Sequence, residues 1–128
     1  MTPPTAAASI LVVDDDAYVC LSLQALLEEE GYRVRTAGSG IEGLRLLQEE
    51  PPDLVILDLL MPDMDGLEVC RRIREVSTVP VLMLTARMEE QEHLRTLVAG
   101  ASGYLIKPVS QDKLRKAIRA ALRRGDVP

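Results

Sequence analysis

The chain has 128 residues, of which 47% are hydrophobic, and a formal net charge of −5. This length is typical of one domain that buries a substantial core, and the apolar content excludes a disordered chain. No apolar run approaches the roughly 20 residues of a membrane span, and the N-terminus lacks the basic region of a signal peptide. We therefore predict a cytoplasmic protein that makes no membrane contact.

Two cysteines and a single histidine limit the metal chemistry that the chain can support. Cys20 and Cys70 fall on predicted helices, and the sequence has no CxxC pair, so a zinc site has too few ligands. We interpret both cysteines as reduced residues of the core, as is typical of cytosolic proteins.

Four short apolar runs predict strands that are buried on both faces of a sheet. In chain order these runs cover residues 10–13, 54–57, 81–84 and 104–106. A further segment, residues 32–37, alternates polar and apolar side chains. This alternation indicates a strand at the edge of the sheet with one solvated side.

A helical pattern follows every predicted strand. Ser39 and Asp65 are each followed three residues later by a glutamate, which is the spacing of a capping box at the start of a helix. We predict that these residues open the second and third helices. The fourth helix is predicted to begin near Glu89, and Ser110 to cap the fifth.

Strands that alternate with helices predict an α/β fold, a doubly wound (βα)5 arrangement around a five-stranded parallel sheet. Because the second strand belongs at an edge, the flavodoxin-like order 2-1-3-4-5 follows, with its topological switch point between strands one and three. We predict one domain over residues 9–124, a flexible N-terminal lead at residues 1–8, and a tail or the start of a linker at residues 125–128.

Polar residues stand where the apolar runs end. Asp14 and Asp15 follow the first strand, Asp58 follows the third, Thr85 follows the fourth and Lys107 follows the fifth. Ligands of open α/β sheets bind beyond the carboxyl ends of the strands, so we expect these side chains to gather at one edge. Neighbouring carboxylates repel one another unless a cation or a proton intervenes, and Mg²⁺ accepts carboxylates, waters and phosphate oxygens as ligands.

The same residues suit phosphoryl transfer. A carboxylate can attack phosphorus and form an aspartyl phosphate. Asp58 stands alone after its strand, whereas Asp14 and Asp15 form an acidic pair suited to the cation, so we assign the attack to Asp58. Lys107 then supplies positive charge, and the Thr85 hydroxyl supplies a hydrogen bond to a phosphoryl oxygen.

The chain resembles a response-regulator receiver domain of two-component signal transduction, similar to the chemotaxis regulators, from about residue 9 to residue 124. The resemblance rests on Val12–Asp15, Leu57–Gly66, Leu84–Ala86 and Gly103–Pro108. It implies that Asp58 accepts a phosphoryl group from a sensor histidine kinase. It also implies that Asp15, Asp58 and the backbone carbonyl of Leu60 bind Mg²⁺ directly, with Asp14 acting through water.

The resemblance further implies a conformational switch. The Thr85 hydroxyl would move toward the phosphoryl group and the Tyr104 ring would turn inward. The resemblance also implies that Lys107 contacts the phosphoryl group and that the Lys107–Pro108 peptide bond is cis. The change would be read on the face of the fourth helix, fifth strand and fifth helix by a downstream effector domain or protein, or by a second copy in a homodimer. Such a protein phosphorylates and dephosphorylates itself but is not a metabolic enzyme.

Alternatives remain at this point. A Mg²⁺-dependent aspartyl-phosphate phosphohydrolase would carry out related chemistry, but such enzymes usually carry a second Asp two residues after the nucleophile, where this chain has Leu60. A receiver that signals without phosphate is a third hypothesis, against which the complete set of site residues argues. Gly100–Gly103 lacks the acidic pair common in receivers of winged-helix transcription factors, which weakens that subfamily assignment. Residues 123–128 fit both a natural end and a linker before an effector domain, so a stand-alone adaptor and a piece of a transcription factor both stay open.

Glycines at positions 38, 40 and 43 match a dinucleotide fingerprint, with Asp58 about twenty residues further on. The preceding strand is amphipathic, however, whereas the first strand of a dinucleotide fold is central and apolar. We interpret these glycines as serving a tight turn and close helix packing. We likewise expect Asp63 and Asp65 to be turn and capping residues rather than metal ligands.

The end of the chain is basic. Residues 107–128 contain seven Lys or Arg and two Asp, a net charge of +5. These basic residues fit the solvent side and the C-terminus of an amphipathic helix, and no aromatic residues accompany them. We therefore predict no direct binding to nucleic acid.

Overall fold

A computed structural model describes residues 7–86, 95–96 and 99–126 of the chain. In these residues one parallel sheet contains the strands β1 Ser9–Val13, β2 Arg33–Ala37, β3 Leu54–Leu57, β4 Val81–Thr85 and β5 Gly103–Ile106. The strand order is β2-β1-β3-β4-β5. The predicted flavodoxin-like order and the position of β2 at an edge are both confirmed.

The described helices are α1 Ala17–Glu29, α2 Gly40–Glu49, α3 Gly66–Val76 and the C-terminal helix Gln111–Asp126. The C-terminal helix thus continues past residue 124, where we predicted the domain to end. The predicted fourth helix falls on residues outside the described part of the chain, apart from residues 95–96, which are helical. None of the described helices is long and apolar enough to cross a membrane.

The core lies on both faces of the sheet because successive strand residues point to opposite sides. One face packs against α1 and the C-terminal helix, through Ile10, Val12, Leu54, Ile56, Cys20, Leu27, Leu114 and Ile118. The other face packs against α2 and α3, through Leu11, Val13, Val55, Leu57, Met83, Leu47, Cys70 and Ile73. Helices on both faces explain why the central strands are apolar without alternation.

The last strand corrects one prediction. Residues 104–106 were predicted to be buried on both faces, but β5 lies at the second edge of the sheet, where Tyr104 and Leu105 are only half-buried and Ile106 is 47% exposed. Its sequence is apolar like that of a central strand, so composition alone did not distinguish it from one.

Polar caps fix the start of each described helix. The Asp16 carboxylate accepts from the backbone N–H groups at the start of α1, the Ser39 hydroxyl accepts from Glu42 at 3.1 Å, and the Asp65 carboxylate accepts from Glu68 at 2.9 Å. The Ser110 hydroxyl accepts from the N–H of residue 113 at 3.1 Å in the same way. The caps predicted at Ser39, Asp65 and Ser110 are therefore confirmed, and each such cap is typically worth about 1 kcal/mol.

The glycine-rich segment serves close packing. A Cβ atom added at Gly40 would lie 2.7 Å from a methyl of Val69, and one added at Gly43 would lie 2.8 Å from a methyl of Val13. A Cβ at Gly38 would meet nothing within 4 Å. Side chains at positions 40 and 43 would thus clash with α3 and β1, so our interpretation of close helix packing is confirmed at Gly40 and Gly43.

Candidate functional site

The backbone ladder of the sheet continues past the strand ends and holds the predicted site residues. The Asp14 N–H donates to the carbonyl of Ala37 at 3.1 Å, and the Asp58 N–H donates to that of Val13 at 2.9 Å. The Lys107 N–H donates to the carbonyl of Thr85 at 2.7 Å. Asp14, Asp58 and Lys107 are thus fixed at the carboxyl edge of the sheet by the same kind of bond that builds the strands.

Three carboxylates meet at this edge. Asp14, Asp15 and Asp58 each place a carboxylate oxygen within 4.8 Å of the other two, and we call this group the carboxylate cluster. Asp14 and Asp58 are only 3% and 8% exposed, whereas Asp15 is exposed to solvent. One oxygen of Asp14 also accepts from the N–H of Asp16 at 2.9 Å. The cluster is therefore enclosed on the side of Asp14 and Asp58 and open to solvent on the side of Asp15.

Lys107 supplies the positive charge of the site. Its Nζ atom lies 2.9 Å from Oδ2 of Asp14 and 3.7 Å from Oδ1 of Asp58. Partial burial lowers the pKa of Lys107, but the hydrogen bond that its ammonium donates to Asp14 and the charges of Asp58 and Asp14 outweigh this effect and raise that pKa overall. The side chain consequently carries its charge throughout the physiological pH range.

Asp58 is held in an environment that disfavours its charged form. Burial raises its pKa to about 6, and the neighbouring charge of Asp14 acts in the same direction. Lys107 and the backbone N–H of Leu60 act in the opposite direction but do not compensate. A further cation at the cluster would remove this repulsion and keep Asp58 ionised.

The structure places Thr85 and Tyr104 on one face of the sheet. Thr85 is fully buried at the end of β4, and Tyr104 is half-buried on β5. Tyr104 pairs in register with Met83, which lies two residues before Thr85 and therefore points to the same side. The loop that follows lies outside the described residues after position 86, and the predicted cis bond between Lys107 and Pro108 is present.

A tightly packed loop, which we call the Asp58–Gly66 loop, leads from β3 to α3. The Gly66 N–H donates to the carbonyl of Leu59 at 2.7 Å, and a Cβ at position 66 would lie 2.4 Å from the carbonyl oxygen of Asp58. Only glycine fits at that point. The loop carries Leu60, whose side chain is 65% exposed and whose backbone belongs to the predicted metal site.

Two contacts of the site had no signal in the sequence. Asp63 was predicted to be a turn residue, but its carboxylate accepts from the N–H groups of Gly40 and Ile41 at the start of α2, at 3.1 Å each. Cys20 is free and buried as predicted, and its thiol lies beneath the cluster, where it donates to the carbonyl of Asp14 at 3.3 Å. The Asp63 contact joins segments more than 20 residues apart, whereas the Cys20 contact joins α1 to the end of β1.

Comparison with known proteins gives one consistent family. The family model described as the response regulator receiver domain matches residues 10–119. The transcriptional regulatory protein AfsQ1 of Streptomyces coelicolor is 45% identical over 118 residues, which cover 92% of this chain and 52% of that protein. The alkaline phosphatase synthesis transcriptional regulatory protein PhoP of Bacillus subtilis is 42% identical over 119 residues, covering 92% of this chain and 50% of that protein. The chain thus spans about half the length of these curated relatives.

Solved structures agree with this result. The chemotaxis protein CheY4 of Vibrio cholerae has a TM-score of 0.87 and 33% identity, with 91% of this chain and 99% of that chain covered. A CheY-like receiver domain protein from Methanospirillum hungatei has a TM-score of 0.90 and 31% identity, with 94% and 98% covered.

Proposed function

The chain belongs to the response regulator receiver family, and from that premise we propose that it is a switch that phosphorylation of Asp58 by a sensor histidine kinase turns on. One observation carries the proposal. Three carboxylates lie with oxygens within 4.8 Å of one another, and the Lys107 ammonium lies 2.9 Å and 3.7 Å from Asp14 and Asp58. Such a set suits a divalent cation and a phosphoryl group together.

The donor set fits Mg²⁺. The carboxylates of Asp14, Asp15 and Asp58 and the backbone carbonyl of Leu60 are hard oxygen ligands. Burial and the neighbouring charge of Asp14 raise the pKa of Asp58, and a bound cation would act against both effects. We propose that Asp15, Asp58 and Leu60 hold the ion directly and that Asp14 acts through water. When bound, Mg²⁺ supplies positive charge to the phosphoryl oxygens during transfer.

In the reaction itself, an ionised oxygen of Asp58 attacks the phosphorus of a phosphohistidine. A P–O bond forms as the P–N bond breaks, and the electron pair of the broken bond returns to the imidazole nitrogen, which then takes a proton. Lys107 already lies 3.7 Å from Asp58 and exchanges part of its contact with Asp14 for a phosphoryl oxygen. The buried Thr85 hydroxyl donates to another oxygen of the same group.

The phosphoryl group adds negative charge beside Thr85, and this local change drives the switch. Thr85 and Tyr104 point to one face of the sheet, so movement of the hydroxyl opens space for the ring to turn inward. The surface that changes consists of β5, the C-terminal helix and the predicted fourth helix. A downstream effector or a second copy of the chain would bind there.

The output that we propose is control of transcription. The relatives AfsQ1 and PhoP are named as transcriptional regulators, and MtrA of Mycobacterium leprae as a DNA-binding response regulator. We propose that DNA contact comes from a separate effector domain, because the basic residues of the C-terminal helix fit the solvent side of an amphipathic helix and no aromatic residues accompany them. We place the switch in the cytoplasm, where its two free cysteines stay reduced.

The phosphohydrolase alternative has less support. Position 60, where such enzymes carry their acid, is an exposed leucine. We expect no turnover of phosphoester substrates by the purified chain, and steady release of phosphate from them would favour the alternative.

Intact-mass measurement after treatment with acetyl phosphate tests the proposal. We expect wild type to gain one phosphoryl group with Mg²⁺ and none without it, and Asp58→Asn to gain none in either condition. If wild type gains nothing, titration with Mg²⁺ and beryllofluoride, a mimic of the acyl phosphate, comes next. If the chain shows no binding of beryllofluoride either, this result would contradict a phosphorylation switch.

A further inference from the structure

Asp63 ties the Asp58–Gly66 loop to a different helix. Its Oδ1 accepts from the N–H of Gly40 and its Oδ2 from the N–H of Ile41, both at 3.1 Å. The first N–H groups of a helix have no partner within the helix. The N-cap Ser39 does not satisfy these two donors, because its hydroxyl accepts from Glu42 instead. Asp63 therefore accepts from these free donors at the start of α2, although it lies in a loop at least 22 residues further along the chain.

Gly40 permits this contact from the other side. A Cβ at position 40 would lie 2.7 Å from a methyl of Val69 and 3.2 Å from the Cβ of Met64. A larger residue would push the start of α2 away from the loop. The middle glycine of the apparent dinucleotide fingerprint thus allows the close approach between α2 and this loop.

The contact also stabilises the charged form of Asp63. Slight burial raises the pKa of this carboxyl, but the N–H groups of Gly40 and Ile41 outweigh it and lower that pKa overall. An exposed turn residue without a partner would not experience this effect. The carboxylate is consequently ionised, and held by α2, at any physiological pH.

We propose that Asp63 is a positioning residue for the metal site. The beginning and end of the Asp58–Gly66 loop are tied by the bond from Gly66 to Leu59, and the Asp65 cap fixes the start of α3. Asp63 adds a tie across to α2, which holds the intervening backbone so that the Leu60 carbonyl faces the cation. This inference rests on the proposed function, in which Mg²⁺ binds at the carboxylate cluster.

The inference is tested by titrating four proteins with Mg²⁺ and measuring binding from the backbone amide NMR shifts of the whole chain. They are wild type, Asp63→Ala, Asp63→Asn and Ser39→Ala. For Asp63→Ala we expect Mg²⁺ binding weakened about tenfold, the lower end of what residues that orient metal ligands contribute. The Gly40 and Ile41 amide protons should shift as their bonds are lost, which monitors the contact independently of the metal.

The two other variants separate the competing explanations. Ser39→Ala removes a cap of α2 without touching the loop, so its affinity should stay within about twofold of wild type. Asp63→Asn removes the charge and keeps one of the two accepting oxygens, which can still accept from one of the two N–H groups, so its loss of affinity should be intermediate, about threefold. Weakening in Ser39→Ala equal to that in Asp63→Ala would assign the effect to helix stability. Weakening in Asp63→Asn equal to that in Asp63→Ala would assign it to charge alone.

Each of those two results would overturn the inference, as would unchanged affinity in Asp63→Ala. Failure of the proposed function is recognised separately, because wild type itself would then show no Mg²⁺-dependent shifts around the carboxylate cluster.

Discussion

The carboxylate cluster and the core beneath it are built on the same two strands, yet they affect stability in opposite directions. Ile10 to Val13 of β1 and Leu54 to Leu57 of β3 are at most 2% exposed and bury apolar surface on both faces. Directly beyond them, the same backbone ladder holds Asp14 and Asp58 beside each other. Stability gained in the core thus offsets the cost of holding like charges together, a cost that a bound cation would reduce.

The largest expected effect comes from weakening the core side. Ile56→Ala removes a buried side chain two residues before Asp58, and we expect the free energy of unfolding to fall by about 3 kcal/mol. Mg²⁺ affinity of the folded protein should hardly change, because the ladder remains. Urea denaturation followed by circular dichroism measures the loss. A loss below about 1 kcal/mol would mean that the two regions do not differ in this way.

The next effect concerns the cluster without metal. The pKa of Asp58 is about 6 in the folded chain against an ordinary value of 3.8, so between these pH values the folded state binds more protons than the unfolded state. In the presence of a chelator, Asp58 should therefore lower the free energy of unfolding by about 2 kcal/mol as pH rises from 4 to 7.

Asp58→Asn is the matched control for that pH dependence, since it keeps the size of the side chain and cannot ionise. Its stability should fall less than that of wild type over the same interval. Parallel profiles for the two proteins would contradict the strained state that we assign to Asp58.

Mg²⁺ should reverse the cost of the cluster. At ten times its dissociation constant, a ligand that binds only the folded state adds about 1.4 kcal/mol to the free energy of unfolding. We expect this gain for wild type at pH 7, measured by urea denaturation at constant ionic strength, and less than half of it for Asp58→Asn. An equal gain in both proteins would place the ion elsewhere.

The smallest expected effect concerns the link from the cluster to β5. Thr85→Ala should still accept a phosphoryl group, but loss of one hydrogen bond should reduce the population of the active conformation by about fivefold. The NMR signals of the Tyr104 ring after addition of Mg²⁺ and beryllofluoride report this population. Thr85→Ser retains the hydroxyl and should behave nearly as wild type. An undiminished response in Thr85→Ala would argue against the coupling.

The sequence by itself determined the sheet, its strand order and the meeting of the acids. Unbroken apolar runs can be buried only between two layers of helices, and the carboxyl ends of parallel strands share one edge, so Asp14, Asp15 and Asp58 had to come together. The caps at Ser39 and Asp65 followed equally from local spacing. The roles of Leu60 and Tyr104 came from family resemblance and stay predictions.

Only the tertiary structure decided which contacts join distant segments. The exposure of β5 depends on its having one neighbour in the sheet, which its apolar composition does not encode. The bonds from Gly40 and Ile41 to Asp63 arise because the start of α2 and the Asp58–Gly66 loop converge at one edge of the sheet. Local periodicity reports which side of an element is buried, whereas the partner across a loop boundary is fixed only when the whole sheet has assembled.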